Sequence, residues 1–207
     1  MSTDANKHKI ILDFAEWFSY FNEYYTLLLD RYERFKELRK AGNILDANTY
    51  FEMLIVQLRS LMLDKAGNME KNYRSYTFQN VLYIANDKKA TKQLEGLINT
   101  VLIPGISECS ECLVGYNCQE NITDCPVMKS LTLGEGIKIV TDKTICHYDS
   151  FCRQNSPNWE LTQLIKNQLY DENEIINMDY IIKTLKNIFH EKVQIDLSSI
   201  VEALEDL

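Results

Sequence analysis

The chain has 207 residues, of which seven are glycine and three are proline. These turn-forming residues make up about 5% of the chain against a usual ~12%, which disfavours a turn-dense β-sandwich or barrel and a disordered linker protein. The formal net charge is −8, and residues 156–207 carry four basic and ten acidic groups. Because phosphate contacts need clustered Lys and Arg, nucleic-acid binding by so acidic a chain would require a local basic face.

The first part of the chain predicts two long helices. Apolar and aromatic residues recur at helical spacing from about Ile10 to Lys40, and Gly42 supplies a stop signal. We expect this aromatic stripe to be core rather than a ligand box. A second helix, capped by Asp46 or Asn48, runs to about Leu63 and is apolar nearly all round, which indicates a central buried helix.

Polar residues 64–75 are typical of a loop, and two further helices are predicted at Thr77–Ile84 and Lys88–Leu102. Two short basic runs, one at residues 36–40 and the other at Lys88, Lys89 and Lys92, are candidate basic faces. Interspersed acids favour ordinary solvated helix surfaces at both places.

The cysteines divide the chain chemically. All six lie between Cys109 and Cys152, whereas residues 1–103 contain neither cysteine nor proline. Residues 105–136 hold few large apolar groups, so burial alone is a poor way to order them. The sequence therefore predicts a single all-α domain over residues 1–207, with an irregular, cysteine-bearing insertion at 105–136.

The remaining segments also favour helices. Residues 137–149 are rich in β-branched side chains and are compatible with a hairpin, but the helical neighbours favour a helix. Ser156-Pro157 is a strong helix start signal, and helices are predicted at residues 158–169, 178–191 and 197–207.

One segment carries a family resemblance. The run Thr141-Asp-Lys-Thr-Ile-Cys-His-Tyr-Asp149 resembles the late helix of HEPN-superfamily proteins, especially the AbiU-type abortive-infection branch. That pattern reads Arg, Asn or Asp, Lys, any residue, Ile or Val, Ala, His, any residue, Asp. Upstream, Leu58–Asp64, a polar loop and Phe78–Leu82 are similar to the second helix of that branch, and the order of elements agrees over about residues 10–190.

The resemblance implies an up-down helical bundle, usually dimeric, in a bacterial defence or toxin–antitoxin system. It implies RNA binding or binding of an antitoxin-like protein partner, and metal-independent ribonuclease activity in the active members. There an arginine, separated from the histidine by four to six intervening residues, holds phosphate and the histidine does acid–base chemistry. His147 matches the histidine and Asp149 the following acid.

The arginine of the pattern has no counterpart in this segment, because Val140, Thr141 and Asp142 occupy its three permitted positions. Lys143, one turn before His147, and Arg59, from another helix, are the candidate substitutes. Lysine offers a point charge rather than a guanidinium fork.

The resemblance therefore predicts a weakened ribonuclease, and the alternative is a non-catalytic helical protein-interaction module. A structural role for His147, hydrogen-bonded to Asp149 or to a carbonyl, stays open beside both.

The cysteine spacing leaves four interpretations open. Cys109 and Cys112 form half of a zinc knuckle, and Cys118 and Cys125 are an irregular second half, so a structural zinc ion is predicted. An iron–sulfur cluster, a disulfide or redox pair, and unligated buried thiols are the other three.

Neither a signal peptide nor a membrane span is evident, so a cytoplasmic location is expected, with no membrane or DNA partner.

Overall fold

A computed structural model describes the backbone of residues 2–63, 77–84, 87–105, 130–142 and 157–189, and the side chains of those residues except 2–17, 83–84 and 157–160. The described elements are nearly all helical, which confirms the all-α prediction. In chain order they are α1 (Ser2–Lys40), α2 (Ile44–Leu63), α3 (Phe78–Ile84), α4 (Lys88–Ile98), β1 (Val101–Ile103), β2 (Leu131–Thr132), α5 (Leu133–Val140), α6 (Pro157–Tyr170) and α7 (Met178–Phe189).

Helix α1 is the long spine of the fold. Its buried side chains recur every three or four residues, which places them on one face of the helix; they are Phe18, Phe21, Tyr25, Leu28, Tyr32, Phe35 and Leu38. This burial confirms that the aromatic stripe is core. Gly42 ends the helix in the left-handed conformation, with φ at 72°. The Asn43 amide then donates to the Leu38 carbonyl at 2.9 Å, so the exit turn satisfies carbonyls of the last helical turn.

Helix α2 packs along α1 and begins earlier than predicted. It starts at Ile44, and its cap is Asn43, whose side-chain oxygen accepts from the Asp46 amide at 3.4 Å. The prediction of Asp46 or Asn48 as the cap is therefore wrong. Buried Gln57 joins the two helices, because it accepts from Arg31 at 2.8 Å and donates to the Tyr24 carbonyl at 2.6 Å.

Two aromatic clusters bind the later helices to α1. Phe78 of α3 stacks on Phe189 of α7, with ring centroids 4.5 Å apart, and both rings contact Phe21 and Tyr25. Farther along α1, Phe35, Phe51 of α2 and Tyr170 of α6 form the second cluster. The buried apolar side chains of the described elements form one continuous core.

The predicted fourth helix, Lys88–Leu102, ends four residues early in α4. The Thr100 hydroxyl bonds back to the Gly96 carbonyl at 2.8 Å, and the chain then forms β1, which pairs antiparallel with β2. Strand β2 and the first half of α5 fall within residues 131–136, for which the sequence predicts an irregular insertion. These six residues form regular structure instead, and all but Thr132 and Glu135 are buried; residues 106–129 of that range lie outside the described part of the chain.

Helix α5 settles the ambiguity over residues 137–149 as far as residue 142. Thr132 and Glu135 form a capping box at its start: the Glu135 carboxylate accepts from the Thr132 amide at 2.9 Å, and the Thr132 hydroxyl accepts from the Glu135 amide at 3.3 Å. Thr141 and Asp142 continue the helix as a π-type turn. The helix prediction is confirmed here in preference to the hairpin. The predicted C-terminal helix at 197–207 lies beyond the described residues.

Candidate functional site

Arg59 contacts the beginning of residues 141–149, whose sequence resembles the HEPN pattern and which we call the HEPN-like segment. It lies on α2, and its Nη2 atom is 2.8 Å from Oδ1 of Asp142 in the turn that follows α5. Asp142 is the second residue of the segment that resembles the family pattern, at the place where that pattern has Asn or Asp. The fold therefore brings an arginine from a distant helix to the first residues of the motif.

The local sequence explains why both side chains reach this point. Arg59 is the one basic residue of α2, and its neighbours Leu58, Leu61 and Met62 are fully buried or nearly so. The helix is therefore fixed against the core, and Arg59 has to emerge at its edge. Thr141 is completely buried, and its hydroxyl donates to the backbone carbonyls of Ile137 and Lys138, which anchors the turn that carries Asp142.

The Arg59–Asp142 pair is accessible to solvent. The two side chains are 30% and 29% exposed, so a molecule in solution can reach them. A guanidinium has five N–H donors, and one contact with a carboxylate leaves the rest of the fork able to meet a second anion. A partly exposed pair of this kind is worth little to folding, about 0–1 kcal/mol.

The other predicted site residues lie outside the described part of the chain. Lys143, His147 and Asp149 belong to residues 143–156, and Cys109, Cys112, Cys118 and Cys125 to residues 106–129. Within the described ranges, no group of three or more His, Cys, Asp or Glu side chains is arranged to hold a metal ion. The catalytic and zinc assignments of these seven residues therefore stay predictions.

A second ion pair on α2 offers a useful comparison with Arg59. Lys166 of α6 bonds Glu52, which lies seven residues before Arg59 on the same helix. Its lysine is 18% exposed and its glutamate 43%. This pair ties α6 to α2 about two helical turns from Arg59, so it has the same chemistry as the Arg59 pair but a different partner helix.

A cleft that sequence patterns did not indicate lies at the C-terminal end of α1. It encloses about 300 Å³ between the last turns of α1, the end of α6 and the start of α7, with Tyr32, Phe35, Lys36, Arg39, Tyr170 and Asp179 among its lining residues. Arg39 lies over the Tyr170 ring at 4.4 Å and pairs with Glu172 at 3.1 Å. Only the basic end of α1, at Arg39 and Lys40, was visible in the sequence; the cleft depends on the packing of three separate segments.

The charges in this cleft are balanced. Lys36 pairs with Glu33 at 2.7 Å, and Lys36 and Lys186 together hold the pKa of the Glu33 carboxyl below its usual range. Asp179 pairs with Lys183 in the first turns of α7. Each of these cations therefore has an acidic partner, as Arg59 has in Asp142.

The described helices include none that is both long enough and apolar enough to cross a membrane. Comparison of the whole chain with known protein families, with curated proteins and with solved structures finds no match.

Proposed function

We propose that this protein binds RNA as a HEPN-like, AbiU-type defence or toxin–antitoxin component and cleaves it weakly without a metal ion. The observation that carries the proposal is the 2.8 Å contact between Arg59 and Asp142. The HEPN-like segment lacks the arginine of its pattern, and Arg59 offers a guanidinium beside the second residue of that segment. This arrangement supports a phosphate-binding role for Arg59.

In the proposed mechanism, Arg59 holds a phosphate of the RNA backbone and His147 carries out the acid–base step at that phosphate. A bidentate guanidinium neutralises the charge that builds on the phosphate oxygens. An imidazole moves protons efficiently near neutral pH, because its ordinary pKa is about 6.5. Asp149 orients the imidazole, and Lys143 adds a second positive charge. A positioned acid–base group contributes about 10²–10⁴ in rate, so its loss is easily measured.

The direct test is cleavage of a labelled single-stranded RNA in the presence of EDTA. We expect slow cleavage by the unaltered protein and a loss of at least about 100-fold in His147→Ala, with RNA affinity and circular dichroism retained. His190→Ala, in which the histidine lies outside the motif, is the matched control and should cleave normally. Cleavage that survives His147→Ala would contradict the mechanism, and an absence of RNA binding even at low salt would contradict the function.

The proposal includes a structural zinc ion bound by Cys109, Cys112, Cys118 and Cys125. Thiolates are the preferred ligands of structural zinc, and the metal would supply folding free energy to a segment poor in apolar residues. Elemental analysis should find about one zinc per chain, and the quadruple Cys→Ser variant should lose it. A zinc content well below one per chain in protein purified without chelators would exclude this part of the proposal.

Exposed apolar side chains at one end of the bundle favour a second candidate, a non-catalytic protein-interaction module or homodimer. Leu45 at the start of α2 is 78% exposed, and Ile175 in the loop before α7 is 86% exposed. The Arg39–Glu172 pair links the last turn of α1, just before α2, to the loop that carries Ile175. If this face is an interface, Leu45→Asp with Ile175→Asp should convert a dimer to a monomer in analytical ultracentrifugation. RNA cleavage by the double variant is measured in a separate assay.

A further inference from the structure

Three lysines at the beginning of α4 differ from most other basic residues of the fold. Lys88, Lys89 and Lys92 are all exposed, and none has an ion-pair partner within the described residues. Most other described basic side chains bond an acidic or amide group, for example Arg34, Lys183 and Lys186. We call these three residues the α4 lysine surface.

This arrangement of lysines does not stabilise helix α4. Lys88 and Lys89 stand in the first turn of α4, where the partial positive charge of the helix end disfavours cations, and that turn contains no acidic residue. The Asp87 carboxylate just before it accepts from the Ala90 amide at 2.8 Å and serves as the cap. Lys88 and Lys92 are four residues apart, so two like charges face each other across one turn.

The same arrangement suits a polyanion. Four residues of α-helix rise about 6 Å, which is the span of roughly two stacked nucleotides. The chain has a net charge of −8, whereas three exposed lysines within five residues form a local positive surface that attracts phosphates. The sequence-based expectation of an ordinary solvated face rested on interspersed acids, but Glu95 is the one acid within α4 and it forms no ion pair with these lysines.

We propose that the α4 lysine surface binds the phosphodiester backbone of single-stranded RNA as a docking surface separate from the Arg59 site. The inference rests on the proposed RNA-binding function and adds a second point of contact. The lysines hold the strand by charge alone, so they contribute affinity without base preference.

The test measures the affinity of a 20-nucleotide labelled oligouridine at several salt concentrations by fluorescence anisotropy. The test variant is Lys88→Gln/Lys89→Gln/Lys92→Gln in full-length protein. The control variant, Arg34→Gln/Lys183→Gln/Lys186→Gln, changes the net charge equally but removes cations that already have acidic partners. We expect the test variant to lose at least about tenfold in affinity at low salt and to flatten the slope of log affinity against log salt by about 2, since each lost contact contributes about 0.7.

The outcomes separate this inference from the proposed function. Unchanged binding by the test variant, or an equal loss in both variants, overturns the lysine surface while RNA binding stands. An absence of RNA binding by the unaltered protein removes both proposals. Because the lysines oppose the helix end, the test variant should also unfold at a higher urea concentration than the unaltered protein, so misfolding is readily told apart from lost docking. A test variant that unfolds earlier and binds weakly would contradict a docking role.

Discussion

At the scale of single residues, the decisive contact joins Arg59 to Asp142. Both side chains are about 30% exposed, so the pair contributes little to stability, about 0–1 kcal/mol. In the proposed function its two members have opposite effects, since Arg59 attracts phosphate and Asp142 repels it. A substitution of either residue should therefore change RNA affinity while changing the free energy of unfolding very little.

We predict that Asp142→Asn raises RNA affinity by about three- to tenfold at low salt, because it removes a competing carboxylate from Arg59. Asparagine is also a residue that the HEPN-like pattern accepts at this place. Fluorescence anisotropy measures the affinity, and Asp179→Asn, another acid paired with a lysine, is the control. Equal or weaker binding by Asp142→Asn would show that Arg59 does not meet RNA.

Tyr25 provides a residue-scale test of the core. Burial raises its pKa to about 12 from an ordinary 10.0, because the phenolate is disfavoured among the rings of Phe21, Phe78 and Phe189. The folded state therefore retains this proton longer than the unfolded state does. The stabilisation that the raised pKa gives to the folded state is complete below pH 10 and is lost as the pH rises through 12.

The corresponding prediction concerns the free energy of unfolding at pH 8 and pH 11, measured with urea. Between these values, the unaltered protein should lose about 1.4 kcal/mol more than Tyr25→Phe, which lacks the titrating group. The comparison with Tyr25→Phe cancels the titration of surface lysines. Identical losses in the two proteins would mean that Tyr25 is accessible to water.

At the scale of elements, close packing of α5 against its neighbours fixes the turn that carries Asp142. A Cβ added at Gly134 would lie 2.8 Å from Cγ2 of Ile98 and 3.3 Å from the Ile98 carbonyl oxygen. Ile98 is β-branched and ends α4, so neither atom moves easily. Gly96 in α4 has nothing within 4 Å of the same position.

We therefore predict opposite effects for two Gly→Ala substitutions. Gly134→Ala should lower the free energy of unfolding by about 1–3 kcal/mol through overpacking. Gly96→Ala should raise it by about 0.5–1 kcal/mol, because alanine favours the helix and fits the open space. Urea denaturation measures both, and a stabilising Gly134→Ala would contradict the packing of α5 described here.

The elements also show what the sequence could predict. The spacing of Phe21, Tyr25 and Leu28 predicts the buried face of α1, because helical periodicity is a local property. The capping box of Thr132 and Glu135 was equally visible in the sequence, and its four-residue pattern marks the start of α5 that we missed. The end of α4 was not predictable in this way, because β1 exists through pairing with β2 some thirty residues later.

At the scale of the whole molecule, the candidate site depends on packing between distant segments. The sequence offered Arg59 as a substitute for the missing arginine, but its contact with Asp142 requires α2 to lie against α5. Residues 143–149 and the four cysteines lie outside the described structure, so their roles rest on the family resemblance and on cysteine spacing. In the proposed function, this acidic molecule binds RNA through local positive charge, at Arg59 and on the α4 lysine surface.

The most direct test of this account is the RNA affinity of His147→Ala, which we expect to leave RNA intact, with and without Arg59. Adding Arg59→Gln to His147→Ala should weaken affinity by about tenfold, as expected for the loss of one guanidinium–phosphate contact of about 1.4 kcal/mol. Adding Lys166→Gln instead, which breaks the comparable pair with Glu52 on the same helix, should change the affinity less than twofold. Equal effects of the two substitutions, or none from Arg59→Gln, would contradict the account.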